Sequence, residues 1–68
     1  MLTYAESLPG VSVDFEGRRL DGHYRVAGTS VIAYYADQVK SAGLDQAVPA
    51  DRIAERLLKD MAARERHA

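Results

Sequence analysis

The sequence predicts an α+β fold: a three- or four-stranded antiparallel β-meander with one C-terminal amphipathic helix packed on one face. Three observations lead there. Apolar and polar residues alternate through 11–26, VSVDFEGRRLDGHYRV, which is the period of a half-buried strand. Glycine-bearing dipeptides interrupt the alternation at spacings suited to tight hairpins. From Pro49 the period becomes helical, with Ile53, Leu57, Leu58 and Met61 on one stripe.

The first hairpin turns at Glu16-Gly17, where Gly supplies positive φ without a Cβ clash. Counting outward sets Phe15 against Arg18, Asp14 against Arg19, Val13 against Leu20 and Val11 against Gly22. Apolar then meets apolar, and Asp14 meets Arg19 with opposite charge, which supports the register. The second turn is read at Ala27-Gly28. It sets Val26 against Thr29, Tyr24 against Val31, Gly22 against Ala33 and Leu20 against Tyr35.

Residues 29–42 admit two readings. As a helix, Ser30 would cap it, Val31, Tyr35, Val39 and Ala42 would share a face, and Gly43 would end it. As a strand pair, the β-forming Val-Ile and Tyr-Tyr are accommodated and the first hairpin gains the third strand it needs for stability. The strand reading is preferred. It places a turn at Asp37-Gln38 and a short edge strand at 39–44, with Tyr35 against Lys40, Ala33 against Ala42 and Val31 against Leu44. Lys40 suits a sheet edge.

A linker at 45–48 leads to a helix over 49–63. Pro49 suits a first turn and Asp51 lies near the positive end of the dipole. Glu55 and Lys59 stand in the favourable i,i+4 order. Residues 64–68 form a charged tail. Residues 1–10 are the least regular part; Leu2, Tyr4 and Leu8 could supply a flap or extra strand, but Pro9-Gly10 breaks continuity. The expected core is Val11, Val13, Phe15, Leu20, Tyr24, Val26, Val31, Ala33, Tyr35, Ala42, Leu44, Ile53, Leu57, Leu58 and Met61, with Ala50 and Ala54 beside the helix stripe.

With 68 residues the chain makes a single domain, 1–68. A chain this short buries only about 60% of its unfolded surface, and lone cores of this size usually need a staple. Zero Cys excludes disulfides, thiolate metal sites and Cys nucleophiles, and two His are too few for a His-rich metal site. Self-association is the remaining staple. Net charge is −1. Residues 1–50 hold four basic and six acidic side chains, and 51–68 hold five and four, an asymmetry too small to imply nucleic acid or an anionic membrane. The opening MLTYAESLPG lacks the basic residues of a signal peptide, and no apolar run approaches a membrane span. A cytoplasmic protein is the expectation.

The run Val-x-Val-x-Phe-Glu-Gly-Arg-x-Leu-x-Gly-x-Tyr-x-Val at 11–26 and the segment Pro49…Ile53-Ala54-x-x-Leu57-Leu58 resemble small uncharacterised bacterial proteins that read strand–strand–strand–helix. The resemblance spans about three quarters of the chain. It implies the meander-plus-helix architecture. That group has no assigned activity, so no functional residue is carried over.

Chemistry-bearing constellations are sparse. His23 is the interior group that titrates near neutrality. A strand-surface position accounts for it better than a base or ligand role, because catalysis needs an orienting partner and a pocket. Asp14, Glu16 and Asp21 are a carboxylate cluster best read as solvated strand-face charges. Ser12, Ser30 and Ser41 lack a nucleophile motif, and the five glycines form no phosphate loop. Gly22, mid-strand, marks either a bulge or close approach by the helix. No catalytic, cofactor-binding or metal-binding residue is assigned.

Tyr34-Tyr35 carries the most information. In a strand Tyr35 points to the core and Tyr34 outward, with Ile32 two residues before it and Val39 on the next strand. His23, Ile32, Tyr34 and Val39 are therefore the candidate interface, a composition typical of interface cores. The expectation is a non-enzymatic protein-interaction module, a homodimer or a binder of a small protein partner, associating through this face or an open sheet edge. The alternative is a small nucleic-acid-associated or regulatory protein using Arg52, Arg56, Lys59, Arg64 and Arg66, although Asp51, Glu55, Asp60 and Glu65 are interleaved with them.

Overall fold

The computed structural model describes residues 8–66. The chain forms β1 (Gly10–Phe15), β2 (Arg18–Ala27), β3 (Ser30–Tyr35), β4 (Gln38–Gly43) and α1 (Ala50–Arg66). The strands pair antiparallel in the order β1-β2-β3-β4, with α1 packed on one face. The helical reading of 29–42 is thereby overturned in favour of the strand pair. The flap or extra strand considered for Leu2 and Tyr4 lies outside the described residues.

The first hairpin has the expected register, from Gly10 opposite His23 to Phe15 opposite Arg18. Glu16 and Gly17 both have positive φ, 52° and 82°, as a two-residue type I′ loop requires. The next two registers differ from expectation. The β2–β3 loop is Gly28-Thr29, not Ala27-Gly28, so Val26 faces Val31 and Tyr24 faces Ala33. The β3–β4 loop is Ala36-Asp37, not Asp37-Gln38, so Tyr35 faces Gln38 and Val31 faces Ala42. Sliding a two-residue loop by one position shifts the pairing by two. Side chains alternate with period two, so each residue keeps its face although its partner changes. At both loops the first residue carries the positive φ: Gly28 at 59° and Ala36 at 54°. Gly28 accepts this freely; Ala36 does so against its Cβ.

The inner face and the helix stripe form the core: Val11, Leu20, Val31, Ala33, Ile53, Ala54, Leu57, Leu58, Met61 and Ala62 are buried, and Val13, Phe15, Tyr24, Tyr35 and Ala42 pack against them. Two expected core residues are corrected. Val26 is 49% exposed and Leu44 43%. Val26 is the last inner-face position before the β2–β3 loop, and Leu44 lies past the end of β4, held by its backbone N–H donating to the Thr29 carbonyl at 2.8 Å.

Gly22 marks close approach by the backbone of β3 as well as by the helix. A Cβ there would run into the carbonyl oxygen of Tyr34 and lie 3.2 and 3.3 Å from the two terminal methyls of Leu58. On the helix, Ala54, Leu58 and Ala62 recur at i, i+4, i+8, so small residues flank the Leu that sits over this gap.

The helix begins where Pro49 offers its carbonyl to the amides of Arg52 and Ile53, at 3.1 and 3.2 Å. A turn tied by the Ala47 and Val48 amides to Asp45 leads into it. It continues past Ala63 to Arg66, a turn beyond expectation. Contacts from the sheet hold that turn: Arg18 Nη2 lies 3.5 Å from Glu65 Oε1, and the Tyr35 hydroxyl donates to the same oxygen at 3.4 Å. Gln38 Nε2 donates to the Met61 carbonyl at 3.3 Å, and Lys40 Nζ lies 3.6 Å from Asp60. Lys40 thus lies on an edge strand, as expected, and its side chain reaches the helix.

Two substitutions test these backbone positions with opposite signs. Gly22→Ala drives a Cβ into the Tyr34 carbonyl of the sheet and against the Leu58 methyls, and is expected to cost about 1–3 kcal/mol, read as a lower urea midpoint. Ala36→Gly removes a left-handed penalty of about 1–2 kcal/mol, partly offset by greater unfolded-chain freedom, and is expected to stabilise by up to about 1 kcal/mol, read as a higher midpoint. A lowered midpoint for Ala36→Gly would contradict the loop assignment.

Candidate functional site

The face of the sheet opposite α1 gathers all four candidate interface residues. His23 lies directly across from Tyr34, and Tyr34 directly across from Val39, so the three form one row across β2, β3 and β4. Ile32 lies in the next row, between Arg25 and Ser41. Val39 is 62% exposed, His23 is exposed, and Ile32 and Tyr34 are half-buried.

Arg25 belongs to this site and was not among the sequence candidates. Its Nε donates to the Tyr34 hydroxyl at 2.9 Å, part-buried. The two residues are diagonal neighbours across β2 and β3, within reach of long side chains. In the register read from sequence, Arg25 faces Ser30 and Tyr34 lies too far along the strand. The contact becomes visible only when the loop is placed at Gly28-Thr29. The bond holds the Tyr34 ring against the sheet with its polar end satisfied, leaving an amphipathic surface.

A polar corner adjoins the apolar row. Ser12 Oγ donates to Asp21 Oδ1 at 2.6 Å, and Arg19 Nε donates to the same oxygen at 3.2 Å. Ser12 and Asp21 are cross-strand partners, as are Asp14 and Arg19. The Asp21 carboxyl is held below its ordinary value, chiefly by the Ser12 hydrogen bond; partial desolvation opposes this, and the Arg19 hydrogen bond and charge assist it. Of the three carboxylates read from sequence, Asp21 is thus engaged with Ser12 and Arg19. The His23 side chain makes no hydrogen bond or ion pair with another described residue. Among the described residues no three His, Asp or Glu side chains gather in a way that could hold a metal ion.

The helix presents a second surface. Arg52, Arg56 and Lys59 stand at i, i+4 and i+7, on one exposed side spanning about 10 Å of axis. None of the three is paired with another described residue. Glu55 lies between them in sequence, while the acids that follow are spent elsewhere: Asp60 turns to Lys40, and Glu65 to Arg18 and Tyr35. The helix side is therefore more basic than the linear alternation suggests.

Ser12→Ala is expected to move the Asp21 midpoint upward, toward the ordinary Asp range, in a carboxyl-detected NMR titration. Because the folded value is lowered, the stabilisation from this cluster is present above the ordinary Asp value and is lost as pH falls through the folded value. An unchanged midpoint in Ser12→Ala would show that Arg19 alone sets it.

No protein-family model, curated protein or solved structure matches the chain.

Proposed function

We propose that this chain is a non-enzymatic interaction module that self-associates through the outer sheet face, with His23, Ile32, Tyr34 and Val39 at the contact. The observation that carries the reading is the alignment of Val39, 62% exposed, with Tyr34 and His23 on the face that the helix leaves uncovered. Burying one large apolar side chain contributes about 1.5–3 kcal/mol, a large share of the stability of so small a domain. Three strands of six residues and one of ten offer roughly 400 Å² per partner, below the ~800 Å² of a standard interface, so the association is weak and concentration-dependent. We take it to act in the cytoplasm, because a Cys-free chain carries no disulfide staple of the secreted kind.

A second reading, contact with single-stranded nucleic acid, is favoured by one observation: Asp60 and Glu65 are engaged with the sheet while Arg52, Arg56 and Lys59 stay unpaired. Three phosphate contacts would give a log–log salt slope of about −2.

Sedimentation equilibrium up to about millimolar concentration is expected to show dimerisation of the wild type, with an apparent Tm that rises with concentration. Val39→Glu is expected to be monomeric with the monomer's Tm unchanged, since Val39 is already exposed. A monomeric wild type whose Tm ignores concentration would overturn the reading. For the second reading, Lys59→Gln is expected to reduce the salt slope by about 0.7 in titrations with mixed-sequence single strands; binding that ignores salt would exclude it.

A further inference from the structure

Between the end of β4 and the first two turns of α1 lies a groove of about 220 Å³. Ala42, Val48, Ile53 and Leu57 supply its apolar lining, and Arg52 and Arg56 its cationic part. The two arginines sit one turn apart, about 6 Å along the axis. Neither is paired with another described residue. Asp45 is the acid that also lines the groove, and its Oδ1 already accepts the Ala47 amide at 2.9 Å. Two arginines against Asp45 leave the lining with a net charge of +1.

We propose that this groove binds a small carboxylate carrying one compact apolar group. The volume lies below the roughly 300–1,000 Å³ typical of sites for drug-sized ligands, which limits the apolar part to a single ring or short branched chain. The apolar lining takes that group out of water. A guanidinium is a planar fork of N–H donors whose geometry matches a carboxylate in a bidentate pair, and two of them on successive turns clamp one anion. The helix's opposite half is fastened to the sheet by Glu65, Asp60 and the Met61 carbonyl; among the described residues no such polar contact ties down this half, so its arginines keep their donors for a ligand. The inference is independent of the self-association reading, since the groove lies on the helix side of the sheet.

The test is a ¹H–¹⁵N NMR titration of the full chain with 3-phenylpropionate. Saturable shifts are expected at the Ala42, Gly43, Val48, Ile53 and Leu57 amides. The uncharged 3-phenylpropanol, and 3-phenylpropionate against the Arg52→Gln/Arg56→Gln double variant, are each expected to bind about tenfold more weakly, as loss of charge-assisted hydrogen bonds implies. Both arginines are exposed, so the double variant is expected to keep the wild-type Tm. Asp45→Asn keeps the acceptor for Ala47 and removes the opposing charge, so it is expected to tighten binding. Lys59→Gln lies outside the groove and is expected to leave the affinity unchanged, which separates this site from the basic ridge. The proposal is overturned by the absence of saturable shifts up to about 10 mM, by equal affinity for the alcohol, or by inorganic phosphate alone reproducing the same shifts.

Discussion

The close seating of the helix on the sheet at Gly22 is the constraint on which the rest of the molecule depends. A four-stranded sheet with one helix has a single inner face to bury, and that face must be sealed by 17 residues. Leu58, fully buried, fills the space above a strand position that has no side chain. Ala54 and Ala62, one turn to either side, and Ala33 on β3 are buried too and small enough to let the two layers meet. A larger residue at any of them would lift the helix from the sheet and loosen the contacts that Leu20, Val31 and Met61 make together.

Around this apolar contact the polar contacts are distributed unevenly. The C-terminal half of α1 is tied to Arg18, Tyr35, Gln38 and Lys40 at the sheet end that carries the β1–β2 and β3–β4 loops. These pairs are largely solvent-exposed, and such pairs contribute about 0–1 kcal/mol each. Their main effect is to orient: they fix the helix direction and prolong its last turn. The N-terminal half rests on apolar packing and the Asp45 turn, and there the groove opens beside Arg52 and Arg56.

The two sides of the sheet consequently differ in chemistry. On the helix side the surface is a basic ridge and a half-apolar groove. On the outer side it is an apolar row with Tyr34 pinned by Arg25, next to a polar corner organised around Asp21.

The meander with one helix, the face each side chain takes and the helix stripe were legible in the sequence by itself, because alternation and 3.6-residue periodicity are local properties of the chain; the choice between three strands and four was not. Facing survived the misplacement of two loops because a shift of two in register preserves parity. Three things were decided only by the tertiary structure. Ala36 occupies a left-handed position that its residue type does not announce, since the loop is set by where the strands on either side pack, not by a glycine. Arg25 and Tyr34 meet only in the true register of β2 and β3. Asp60 and Glu65, interleaved with basic residues along the chain, turn inward to partners far away in sequence, which turns an alternating charge pattern into an unpaired basic ridge. Charge pairing across elements acts through space, and the distances that govern it do not exist until the helix has docked on the sheet.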